Sequence, residues 1–275
     1  MTCADCGNTI GDSDAFCGRC GRALPPKVIL ADSPSTPAIG LAPWRGGEVA
    51  LGVLIIAIAM TPVVLLAAEA GDLAGRYGTA ATVWASSHLM GLVILGVVWQ
   101  LGLKGFHANL RANLRANLRS LGLNSPKTSL KLSALLTMGA LGASLAATGL
   151  YSALMRWLNV SLLVPPDIPS DLAFPGAAAV FTFQALAVWT PITEEIFVRG
   201  FIFAGLASRF GIRGAMVGSA LVFSVFHMAT GVLIPIFITG LLLAWLYRRT
   251  GSLWPSIAAH AGQNALALAA AIFLV

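Results

Sequence analysis

Thr190-Pro-Ile-Thr-Glu194-Glu195-Ile-Phe-Val-Arg199-Gly200 is the stretch on which the reading of this chain turns. Glu194 and Glu195 are the only acidic residues after Asp171, and they stand side by side in an apolar sequence. Arg199 follows Glu195 by four positions, so on a helix the two share a face and can pair. Glu194 points about 100° away round the same helix and has no such partner. Thr190 suits an N-cap and Pro191 a first helical position, which would set both carboxylates near a helix N-terminus. A carboxylate in an apolar helix is costly, and one without a partner marks a functional site by default. A salt-bridged lock between helices accounts for Glu195 and Arg199 but leaves Glu194 without a role. A charge-swapped Glu195→Arg, Arg199→Glu double variant is expected to recover part of the stability that Glu195→Gln loses.

The surroundings decide the fold class. Of 275 residues, 57% are hydrophobic and 10% charged, too little charge to cover a soluble protein of this size. Apolar stretches at roughly 48–68, 79–103, 132–155, 176–208, 213–230, 231–247 and 252–275 approach or exceed the ~20 residues that cross a bilayer. The expectation is an all-α polytopic membrane protein of about seven transmembrane helices, or eight if the over-long fourth stretch breaks at Pro191. Trp44 and Arg45 read as an interfacial anchor ahead of the first span. The start MTCADCGNT has neither a basic n-region nor an apolar h-region, so no cleaved signal peptide is expected.

Three domains follow: a zinc ribbon at 1–24, a Pro-rich linker at 25–47 and a helical bundle at 48–275. Cys3, Cys6, Cys17 and Cys20 form two C-x-x-C knuckles, each followed by glycine. Four thiolates in that spacing suit a tetrahedral structural Zn²⁺, with the glycines allowing tight turns around sulfur. Two disulfides or a redox pair are the alternatives, but a redox motif belongs in a βαβ unit that this segment lacks. The segment resembles the small zinc ribbons at the N-termini of many prokaryotic membrane proteins, which implies metal-driven folding and a place for a partner protein to dock. Thiolate ligands suit a reducing compartment, so the N-terminus is expected in the cytoplasm.

Charge placement agrees. Residues 104–131 carry six Lys and Arg and no acid, and Arg209, Arg213, Arg248 and Arg249 flank the next two turns on the same side. The positive-inside rule makes that side cytoplasmic and the location a cell membrane. The net charge of +6 then needs no nucleic acid to explain it. Within 104–131 the unit Ala-Asn-Leu-Arg repeats three times from Ala108 to Arg119. Such a helix would lie on the anionic inner leaflet, although repeat expansion in a tolerant loop explains it more simply.

Beyond the glutamates, His88, His227 and His260 lie in apolar spans. His227 closes the i,i+4 pair Phe223–His227, and His260 opens the pair His260–Asn264. Glu194 lies 17 residues before Gly211 and His227 lies 16 after it. A hairpin turning there brings both side chains to one membrane depth. For His260 to join them, the Thr230–Pro235 connection has to dip into the bundle. His88, flanked by Ser86 and Ser87, reads as a helix–helix hydrogen bonder.

These residues match a family. EEIFVRG, FSVFH and HAGQN resemble the EExxxR, FxxxH and HxxxN motifs of the CPBP intramembrane proteases, relatives of the CAAX prenyl endopeptidase and of Abi-type bacteriocin-immunity proteins. The run GSLWPSIAAH is similar to the family's as well, and the resemblance covers about 174–275. It implies an intramembrane endopeptidase in which Glu194 and His227 activate a water, His260 and Asn264 stabilise the oxyanion, and Glu195, Arg199 and Phe223 support them. Glu194, His227 and His260 could instead ligate zinc, but no H-E-x-x-H is present and a glutamate-activated water needs no ion. A metal-free mechanism on a peptide or protein substrate is the expectation. A catalytically idle scaffold or immunity protein binding a partner, and a proton-coupled transporter, are the competing classes.

Overall fold

A computed structural model describes residues 42, 44–103 and 116–273, together with Cys6, Arg19 and Cys20. The chain divides into two compact units, Met1–Thr36 and Pro37–Val275. Of the four expected zinc ligands, Cys3 and Cys17 lie outside the described residues, as do residues 25–41 and 43 of the linker and the first two repeats of Ala-Asn-Leu-Arg, while the linker's last two residues, Gly46 and Gly47, already belong to the first helix. The second unit is a helical membrane bundle with no strand among its described residues.

Among the described residues, six helices are long and apolar enough to cross a membrane: α1 (Gly46–Leu73), α2 (Gly75–Leu103), α3 (Leu130–Trp157), α4 (Gly176–Val225), α5 (Thr230–Thr250) and α6 (Leu253–Phe273). The count differs from the seven apolar stretches of the sequence because α4, at 50 residues, joins two of them. Gly211 interrupts it with φ 65° and ψ 177°, a conformation open essentially to glycine alone. The two arms fold back there, so that a Cβ at Gly218 would stand 3.0 Å from Leu206. Pro191 breaks nothing, and the eight-segment alternative is not what the chain adopts.

Loop contacts register the ends of the bundle. At one end the 117–128 segment is laced to the α5–α6 turn. Lys127 N–H donates to Thr250 O at 2.8 Å, Leu253 N–H to Gly122 O at 2.9 Å, and the Asn124 amide to Gly251 O at 2.9 Å. At the other end the Thr79 hydroxyl meets Asp171 at 2.8 Å and the Thr230 hydroxyl donates to Leu162 O at 2.9 Å. All the arginines and lysines of 116–131 and 209–249 therefore sit at one end, and Asp72, Asp167 and Asp171 at the other.

The outer surface differs from that of a soluble protein. Large apolar side chains such as Leu54, Ile58, Leu66, Leu135 and Met138 are exposed on the outer faces, where lipid replaces water. The interior holds Phe201, Ile202, Phe203 and, fully enclosed with them, Glu195 and Arg199. Trp44 is interior too, which corrects its reading as an interfacial anchor. Its indole stacks on Phe201 at 5.5 Å and donates to the Phe201 carbonyl at 2.8 Å.

Candidate active site

The glutamates do not open a helix. Thr190 has ordinary helical angles, and Pro191 lies inside continuous helix just beyond a π-helical stretch, Gln184–Trp189. The N-cap and helix-terminus reading of Thr190 and Pro191 is thereby corrected. The π-helix explains how proline is tolerated. Wider turns pair each N–H with the carbonyl five residues back, so the N–H missing at Pro191 orphans Leu186 O rather than breaking the helix. Asn264, on α6, donates its amide to that Leu186 carbonyl at 2.9 Å. One of the amide's two hydrogens is thus engaged in closing the ladder, and the other remains available.

A second π-helical stretch, Ile196–Phe203, follows directly. Arg199 inside it donates to Glu195 Oε1 at 2.6 Å and, from its other terminal nitrogen, to Gly240 O on α5 at 3.0 Å. Its guanidinium also lies 4.6 Å from the centre of the Phe223 ring. Gly240 can accept because the helices cross closely here. A Cβ at Gly240 would stand 2.9 Å from that of Ala220.

Glu195 Oε1 takes a second hydrogen bond, from His260 Nδ1 at 3.1 Å. His260 Nε2 then faces the other glutamate, 3.7 Å from Glu194 Oε2. One imidazole thus spans both carboxylates, which differ in environment. Glu195 is wholly buried, whereas the Glu194 side chain is 27% exposed. Glu194 opens onto two adjoining cavities of about 220 and 140 Å³. Met60, Met90, Ile94 and Glu194 line both of them.

His227 lines the smaller cavity with Glu194 and Phe223. Its Nδ1 is 2.9 Å from Phe223 O. Hydrogen-bond logic puts the proton of the neutral ring on Nδ1 and leaves the Nε2 lone pair for the cavity. Phe223 holds the group together. Its ring meets His227 edge-on at 5.0 Å and His260 at 5.5 Å. Met228, directly after His227, has φ +50°, a rare conformation for a side-chain-bearing residue.

The Thr230–Pro235 connection does not dip into the bundle to achieve this. Thr230 bonds the 161–165 loop, and Gly231 lies against the Val164 backbone carbonyl. The depth count assumed 1.5 Å per residue throughout, whereas π-helical Ile196–Phe203 advances less and shortens the arm between Glu194 and Gly211. His88 serves as read from the sequence. Its Nδ1 bonds Trp84 O at 2.8 Å, its Nε2 lies 3.2 Å from the Gln184 amide, and its ring stacks on Trp189.

Sequence reasoning missed the cavity walls contributed by α1 and α2, namely Met60, Ser86, Ser87, Met90 and Ile94. Apolar residues on apolar helices carry no local signature of which face closes on a site. Among the described residues no group of three or more His, Cys, Asp or Glu side chains is arranged to hold a metal ion.

Comparison with known proteins adds one match. Residues 176–266 fit the family model of the type II CAAX prenyl endopeptidase Rce1-like proteins. The matched segment runs from the first residue of α4 to just past Asn264 and contains Glu194, Glu195, Arg199, Phe223, His227, His260 and Asn264, whereas the cavity walls on α1 and α2 lie outside it. No curated protein and no solved structure matches the chain.

Proposed function

From the premise of an Rce1-like core at residues 176–266, we propose that the chain is an intramembrane endopeptidase whose hydrolytic water is activated by Glu194 and His227. Support comes from one observation above all. Of two adjacent glutamates, one is enclosed and neutralised by Arg199, while the other opens onto two cavities, the smaller of which it shares with His227. Water held between Glu194 and the His227 Nε2 lone pair gives a proton to the carboxylate as its oxygen adds to the scissile carbonyl carbon. The carbonyl oxygen becomes an oxyanion. His260, oriented through Nδ1 by Glu195, faces it with Nε2, and Asn264 offers its second amide hydrogen. Collapse of the intermediate breaks the C–N bond, and Glu194 returns its proton to the leaving amine.

The family's name makes a prenylated C-terminal peptide the first substrate to try. In lipid vesicles, a fluorogenic farnesylated CAAX peptide should be cleaved by the wild type and not by Glu194→Gln, with both proteins equally folded. The amide keeps volume and hydrogen bonding but cannot act as a base. Equal cleavage by the variant would remove the protease mechanism and leave a partner-binding scaffold in its place.

The N-terminal cysteines belong to the same proposal. The donor set Cys3, Cys6, Cys17 and Cys20 fits tetrahedral Zn²⁺, which would supply the folding energy that a 24-residue segment cannot draw from a core. Protein purified under reducing conditions should contain one zinc per chain by elemental analysis, and Cys6→Ser should lose it.

A further inference from the structure

Away from the active site, at the cation-rich end of the bundle, lies an open cavity of about 490 Å³. Its walls are Leu118, Arg119, Leu123, Asn124, Ser125 and Trp254. The volume falls within the range of small-ligand sites. The walls divide by chemistry. Arg119 and Ser125 are both exposed and bear donors, whereas the Asn124 amide hydrogens are engaged by the Ser125 and Gly251 carbonyls. Leu118, Leu123 and Trp254 form the apolar side, and Trp254 is half exposed in the first turn of α6, the level at which tryptophan marks a bilayer interface.

Charge at this end is one-sided. Residues 104–131, 204–213 and 244–258 contain no Asp or Glu, and among the described residues Arg119 has no ion-pair partner. A cation beside a donor-bearing cavity, with an apolar lip at interface depth, calls for an anion that carries its own hydrocarbon. We propose that this cavity binds the phosphate of an anionic membrane phospholipid, with Arg119 as counter-ion and the acyl chains leaving over Leu118, Leu123 and Trp254. The walls are held in place by the hydrogen bonds that lace 117–128 to the α5–α6 turn, so the site is preformed.

Thermal unfolding of the full-length chain in a neutral detergent tests this. Added phosphatidylglycerol should raise the midpoint and phosphatidylcholine should not, with the rise diminishing as salt is added. Arg119→Gln and Ser125→Asp should each abolish the rise, while Arg209→Gln, at the same end but outside the cavity, should retain it. Inorganic phosphate should have no effect at concentrations where the lipid saturates. An undiminished rise in Arg119→Gln and Ser125→Asp, an equal rise with phosphatidylcholine, or no rise at all would overturn the proposal. A matching Arg119-dependent rise with inorganic phosphate would replace the lipid by a soluble phosphate ligand.

Discussion

Glu194 and Glu195 are chemically identical neighbours separated in function by one step of helical rotation. Glu195 faces inward, where a single oxygen, Oε1, receives both Arg199 and His260 while Oε2 has no partner. Removing its charge strands Arg199 in a sealed interior. Glu195→Gln should therefore cost about 3–5 kcal/mol of stability, read as a fall in the thermal midpoint. Taken alone, the ion pair invites charge exchange as a rescue, but the surroundings argue otherwise. An arginine at 195 would face the His260 Nδ1 donor, and a glutamate at 199 would turn its charge on the Gly240 carbonyl oxygen. The Glu195→Arg, Arg199→Glu double variant should be no more stable than either single one. Recovery of half the lost midpoint would contradict this geometry.

At the level of elements, α4 combines three departures from regular helix, each with a local cause. Two π-helical stretches bracket the glutamates, and a glycine folds the helix on itself. The first stretch moves the proline gap onto Leu186, which Asn264 fills, and thereby ties α6 to α4 beside the site. The second holds Phe201, whose carbonyl takes the Trp44 indole. Gly211 has open space around it, so Gly211→Ala should cost only backbone strain, about 1–3 kcal/mol. Gly240→Val is different in kind, because its Cβ would meet Ala220 at 2.9 Å. It should destabilise by a similar 1–3 kcal/mol through overpacking and also disturb the carbonyl that holds Arg199. Adding Ala220→Gly should relieve Gly240→Val only in part, because the Ala220 Cα would still stand 3.0 Å from the new Cβ, and should leave Gly211→Ala unchanged, as thermal midpoints would report.

For the whole molecule, segregation of charge to the two ends of the bundle sets orientation. The end with Arg119, Lys127, Arg209, Arg213, Arg248 and Arg249 should face the cytoplasm. In a variant with the four native cysteines replaced, Phe210→Cys should react with a membrane-impermeant maleimide only from the cytoplasmic side, and Asp72→Cys only from the opposite side. Labelling in the reverse sense would invert the orientation. Labelling in the expected sense would place Glu194 and His227 nearer the outer half of the bilayer, since His227 closes the arm that ends beside Leu162 and Thr230.

Much of this was legible in the sequence because the bilayer simplifies the physics. Apolar length marks spans, and charge is so costly in lipid that each buried ionisable residue stands out. The pairing of Glu195 with Arg199, the separate direction of Glu194, and the i,i+4 pairs Phe223–His227 and His260–Asn264 were all open to reading from spacing alone. Tertiary structure decided the rest. Spacing along one helix says nothing about which other helix supplies a partner. It therefore left undetermined the grip of His260 on both glutamates, the closure of the site by Met60, Met90 and Ile94, and the burial of Trp44. Nor does a sequence show where helix widens into π turns, since that choice depends on which carbonyls neighbouring helices can satisfy. Asn264 on Leu186 and Trp44 on Phe201 supply those partners here, and only the assembled bundle brings them within reach.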